Sequence, residues 1–167
     1  EIISSALDSF SGTGRRFEVV GDANGIVLID DYAHHPTEIK ATIQAARMAY
    51  PDRRLWVVWQ PHTYSRTQTL MFDYSEEISK ADRLVITEIF AAREQPNGFS
   101  SEQILLLVKD IPAIFAPTLD FAISHLEKNL KPGDVVLVLS AGDATRINQS
   151  LLKSQRIQSS QKTETVE

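Results

Sequence analysis

Two polar turns hold most of the residues in this chain that can do chemistry. Asp30-Asp31-Tyr32-Ala33-His34-His35-Pro36 offers two carboxylates, a phenol and two imidazoles. Gln60-Pro61-His62-Thr63-Tyr64-Ser65-Arg66-Thr67 adds an amide, an imidazole, a phenol and a guanidinium. Asp30 or Asp31 can accept hydrogen bonds from the vicinal hydroxyls of a ribose, or can cap the helix that follows. His34 and His35 precede Pro36, where an imidazole can hydrogen-bond a ligand, coordinate a metal or simply pack. An extended run after Pro61 would send His62, Tyr64 and Arg66 the same way. Arg66 could then grip a carboxylate with two parallel hydrogen bonds, or form only a surface ion pair.

Other chemistries fit less well. Two-metal hydrolases draw on sets such as Asp30, Asp31, His34, His35 and His62, yet adjacent histidines diverge and no His-x-x-x-His spacing occurs. Neither G-x-x-x-x-G-K-[ST] nor G-x-G-x-x-G is present, and Gly12-Thr13-Gly14 lacks a flanking strand and helix. Any nucleotide must have its phosphates held elsewhere.

These turns need elements to position them. Each follows an apolar run that reads as a buried strand, residues 26–29 and 55–59, and opens into a helix-like stretch. Ligands of open α/β sheets bind beyond the carboxyl ends of parallel strands. Neighbouring strands lie about 4.8 Å apart, so both turns can line one pocket.

The pattern predicts strands at 16–20 and 26–30 around a turn at 21–25, whose Asn24-Gly25 favours positive φ and a hairpin. It continues with a helix at 37–50 started by Pro36, a strand at 55–60, a helix at 67–80 and a strand at 83–88. A long loop at 90–100 precedes a helix at 101–109, with Ser100 and Gln103 as a capping box. A strand at 113–116, a helix at 119–130, a strand at 135–139 and a helix from about 142 to 153 complete the chain. The fold class is therefore α/β and Rossmann-like, a mostly parallel twisted sheet of about six strands with helices on both faces and an N-terminal β-hairpin. Residues 1–14 read as a linker or incoming helix from a preceding domain, 15–153 as the domain proper, and 154–167 as a disordered tail.

Composition bounds the function. At 167 residues the chain is one ordinary domain, with 43% hydrophobic and 23% charged residues. A net charge of −5 argues against nucleic acid as a main partner. The absence of cysteine excludes disulfides and thiolate metal sites and fits a cytoplasmic protein. No apolar run approaches the ~20 residues needed to span a membrane. The chain begins at Glu1 rather than Met, as expected of a processed product or a piece of something longer.

Taken together, the two turns resemble those of the C-terminal domain of Mur ligases, within the branch that adds L-alanine to UDP-N-acetylmuramate in peptidoglycan synthesis. Phe10-Ser11-Gly12-Thr13-Gly14-Arg15-Arg16-Phe17-Glu18 before the first strand and Ser140-Ala141-Gly142-Asp143 after the last add to the likeness, which covers about residues 6–152. The sibling that recycles murein tripeptide shares the first turn and differs in the second. The resemblance implies a three-domain ATP- and Mg2+-dependent ligase, with the phosphate loop and the metal in the missing central domain and the UDP sugar in the missing N-terminal one. It further implies that Arg16 and Asp31 contact the ATP ribose region, and that Tyr32, His34, His62 and Arg66 form the alanine side of the pocket, with Arg66 pairing the alanine carboxylate. It assigns no metal ligand and no certain catalytic residue to this domain. Many members carry Arg at Thr63, Gly at Ser140 and Ile at Ala144. A stand-alone flavodoxin- or receiver-like binding module is the rival from another class. The later strand ends, Gln60, Glu88, Ala116 and Ser140, do not supply the Asp and Lys that phosphate-accepting receivers need.

Overall fold

The computed structural model describes residues 14–164. Its strands are β1 (Glu18–Ala23), β2 (Ile26–Asp31), β3 (Leu55–Gln60), β4 (Arg83–Thr87), β5 (Ala113–Ala116) and β6 (Val135–Ser140). Its helices are α1 (Pro36–Ala49), α2 (Tyr64–Thr69), α3 (Met71–Ile78), α4 (Glu102–Leu105), α5 (Leu119–Asn129) and α6 (Thr145–Glu164). The six strands form one sheet in the order β1-β2-β6-β3-β4-β5, parallel except for β1. This is the α/β architecture expected from the sequence.

Period-2 alternation decides what each strand residue packs against. Ile29, Val57, Trp59, Leu137 and Leu139 face one core with Ile39 and Ile43 of α1 and Tyr74 and Ile78 of α3. Leu28, Trp56, Val58, Val136 and Val138 face the other, with Leu126 of α5 and Ile147 and Leu151 of α6. Because both faces are covered, the central strands read as unbroken apolar runs. Each such side chain contributes about 1.5–3 kcal/mol on burial.

Local chemistry sets the element ends and corrects several expectations. β1 runs through Gly21 and Asp22, so the turn shrinks to Asn24 and Gly25, at φ 54° and 79°. α1 is capped by His35, whose Nδ1 accepts from Thr37 N–H, while Glu38 returns a bond to the cap backbone. The helix expected at 67–80 is two helices, broken at Leu70. No Gly or Pro marks the break. Thr67 and Thr69 instead bond their hydroxyls to the carbonyls of Thr63 and Ser65, a back-bonding that bends helices. α4 is a single turn without the expected reciprocal capping box: Ser100 Oγ accepts from Glu102 N–H at 3.2 Å and donates to Glu88, while Ser101 Oγ donates to the Thr87 carbonyl. α6 starts at Thr145 and continues past Lys153, since no Gly or Pro stops it before Glu164. The linker expected at 1–14 lies, except for Gly14, outside the described residues.

Candidate functional site

β2 and β3 are separated by β6, and the chain crosses from β2 through α1 to β3. Both polar turns therefore leave the carboxyl edge of the sheet on either side of Ser140, the last residue of β6. A crevice at such an edge is where α/β sheets bind ligands.

Four rings line up across it. Tyr32 meets His34 edge-on at 5.4 Å between centroids, His34 lies 5.9 Å from His62, and His62 stacks on Phe90 at 5.8 Å. Three of the residues expected in one pocket, Tyr32, His34 and His62, are thus contiguous. His34 Nδ1 lies 3.0 Å from the Tyr32 carbonyl, and its own carbonyl accepts from buried Tyr74 Oη at 2.8 Å. Burial pushes the Tyr74 phenol up to about 12, so it stays a donor.

The second turn is held under strain. Thr63 sits at φ 68°, ψ 140°, a region β-branched residues avoid. Thr63 N–H donates to the Phe90 carbonyl at 3.0 Å and Phe90 N–H donates back to Pro61 at 2.8 Å. The turn ends with Arg66 half-buried. Arg66 Nη1 and His62 Nδ1 are both buried without a hydrogen-bond partner, and Arg66 has no ion pair among the described residues. Burial, then the charge of Arg66 and then His34, hold the His62 imidazole below its ordinary pKa. A guanidinium nitrogen and an imidazole nitrogen left without hydrogen-bond partners have the chemistry to hold an anion such as a carboxylate.

Arg16 and Asp31 lie apart from this pair. They line a cleft of about 230 Å3 with Tyr32, Ala33, Glu38, Ala41 and Thr42. The Asp31 carboxylate also shapes the backbone, accepting from Phe17 N–H at 2.8 Å and Ala33 N–H at 2.6 Å. Each oxygen keeps a second lone pair that a hydroxyl can use. His35 serves as a helix cap, and Asp30 is buried against Asn148 Nδ2 at 2.7 Å. Burial, only partly offset by that hydrogen bond and by Arg15, raises the Asp30 pKa to about 6.

Sequence reasoning passed over several residues. Arg15, beside the expected Arg16, sends its guanidinium to the carbonyls of Ser140 and Gly142 and lies 5.1 Å over the Tyr32 ring. Gly142 packs so closely that a Cβ there would lie 2.5 Å from Gln60 Oε1 and 2.6 Å from the Phe90 ring. Glu94 accepts from both the N–H and the hydroxyl of Ser65. The repeated Arg15-Arg16 was a readable signal; a bond between residues 65 and 94 was not.

Comparison with known proteins places these features in context. The family model described as "Mur ligase, glutamate ligase domain" matches residues 15–142. The UDP-N-acetylmuramate–L-alanine ligase of Desulfitobacterium hafniense is 42% identical over 156 residues, 91% of this chain and 35% of that protein. The chain thus spans about a third of the length of the curated relatives it matches. Among solved structures, the UDP-N-acetylmuramate-alanine ligase of Thermotoga maritima aligns at a TM-score of 0.69 and 28% identity over 93% of this chain and 33% of its own. A murein peptide ligase from Psychrobacter arcticus aligns at 0.71 and 28% over 90% of this chain and 32% of its own.

Proposed function

The chain belongs to the Mur ligase family, as its glutamate ligase domain, and on that premise we propose that it is the C-terminal domain of a cytoplasmic ATP-dependent ligase that joins L-alanine to UDP-N-acetylmuramate. The observation that carries this reading is the pair of unsatisfied buried atoms, His62 Nδ1 and Arg66 Nη1, on the turn after β3. An amino-acid carboxylate bound there satisfies both and neutralises Arg66. Curated relatives named for the alanine reaction support the choice of amino acid.

In this reading the Arg66 guanidinium fixes the carboxylate that must stay unreactive, leaving the amine free to attack the activated muramoyl carboxyl, an acyl phosphate. Tyr32, His34 and His62 wall the side of the pocket, and their rings exclude water that would hydrolyse such an intermediate. Arg16 and Asp31 take the ribose side of ATP, in a cleft whose carboxylate has acceptors to spare. ATP supplies the phosphoryl group that activates the acid. Among the described residues no three His, Cys, Asp or Glu side chains are grouped to hold a metal. We assign Mg2+, the phosphate loop and the UDP-sugar site to the two other domains of a longer protein. The domain by itself is then catalytically inert.

The test is phosphate release by the intact parent enzyme with ATP, Mg2+ and UDP-N-acetylmuramate, across L-alanine, glycine, L-serine and the murein tripeptide. Release that requires L-alanine supports the reading. Preference for the tripeptide would reassign the chain to murein recycling, and no release with any of them would overturn the ligase reading.

A further inference from the structure

The turn that carries His62 and Arg66 cannot hold itself in place. Thr63 is strained, its side chain makes no capping bond, and the helix it opens, α2, has only six residues. An isolated helix of that length does not form in water. The turn is held from outside, by the loop after β4. Phe90 exchanges backbone bonds with Pro61 and Thr63, and the Glu94 carboxylate receives both the N–H and the hydroxyl of Ser65. The Ser65 hydrogen bonds hold Glu94 ionised to lower pH than an ordinary glutamate. Ser65 immediately precedes Arg66, so whatever fixes its backbone fixes where the guanidinium starts.

We infer that Glu94 is a positioning residue for the carboxylate receptor made by His62 and Arg66, acting through Ser65. This rests on the ligase reading and deepens it: the loop carrying Glu94 sets the affinity for the amino acid without touching the reacting atoms. The strain at Thr63 explains why a second anchor is needed, since released ends would let the residue relax out of positive φ.

The experiment measures steady-state kinetics of the intact parent ligase with L-alanine varied. In Glu94→Ala the KM for L-alanine should rise on the order of tenfold while kcat and the KM for ATP stay within about twofold. Glu94→Gln, which keeps an acceptor, should recover part of the loss. Ser65→Ala should give a smaller rise, and the double variant should cost less than the two single losses combined, because both remove one shared bond. Ser65 is exposed, so its variant carries the test if Glu94→Ala fails to fold. An unchanged KM in Glu94→Ala or Ser65→Ala, a loss confined to kcat, or fully additive variants would overturn the inference. Arg66→Ala, run alongside, separates the failures: if it weakens alanine use and Glu94→Ala does not, only the positioning role falls.

Discussion

The two edges of the sheet are built to opposite rules. At the amino edge the carboxylates of buried Asp134 and half-exposed Asp82 are matched. Asp134 accepts from Arg54 Nε and Nη2 at 2.8 and 2.6 Å, Trp56 Nε1 at 3.2 Å and Lys131 N–H at 2.8 Å. Asp82 takes Arg47 Nη1 and Leu55 N–H, both at 2.7 Å. At the carboxyl edge Arg66 and His62 are left with unsatisfied atoms, Thr63 is strained and Gly142 admits no side chain. Groups matched by internal partners stabilise a fold and offer less to a ligand. The unmatched edge is where binding can complete what folding left open.

Breaking this contrast should give effects that separate cleanly. The largest is expected for Arg66→Ala in the parent ligase, where alanine-dependent phosphate release should fall by about 100-fold or more with the thermal midpoint nearly unchanged. A lowered midpoint with unaltered kinetics would make Arg66 a structural residue. Asp134→Ala should do the reverse. Losing a buried acceptor of four hydrogen bonds should cost about 2–4 kcal/mol in urea unfolding of the chain while leaving kcat/KM of the parent within about twofold. Equal losses in both quantities would mean that the two edges are not independent.

The smallest effect concerns Asp30, at the carboxyl edge and raised to about 6 by burial. Its folded form holds a proton that the unfolded chain has already lost, so stability should be full below about pH 4 and decline as pH rises to about 6. The decline should be on the order of 2 kcal/mol and should be absent in Asp30→Asn, read as urea midpoints against pH. A variant with the same slope would assign it to another group.

Much of this was legible from sequence, for identifiable reasons. The runs at Ile26 to Asp31, Leu55 to Gln60 and Val135 to Ser140 are apolar on both faces because both faces are covered, and that pattern needs no tertiary knowledge to read. The meeting of Tyr32, His34 and His62 followed once the two turns were placed on one sheet edge. The break at Leu70 was hidden because threonine hydroxyls cause it rather than Gly or Pro. Ser100 does accept from Glu102 N–H as its spacing suggested, but its bond to Glu88, on another segment, could not be read locally. Arg15 and Glu94 were passed over since each acts across the fold, on Ser140 and on Ser65, where no local spacing points to the partner.

The place of β6 has a consequence for how the molecule is made. It is the last strand in sequence but pairs with both β2 and β3, Val27 and Leu55 alike facing Val135. Until a ribosome releases that strand, the two halves of the sheet have no common neighbour and Leu28, Val57 and Trp59 lack a wall. Nucleation must wait on contacts of long sequence separation, which slows folding and leaves apolar strand edges open on the nascent chain. A chain truncated before Val135 should therefore be a substrate for chaperones and proteases rather than a smaller version of the domain.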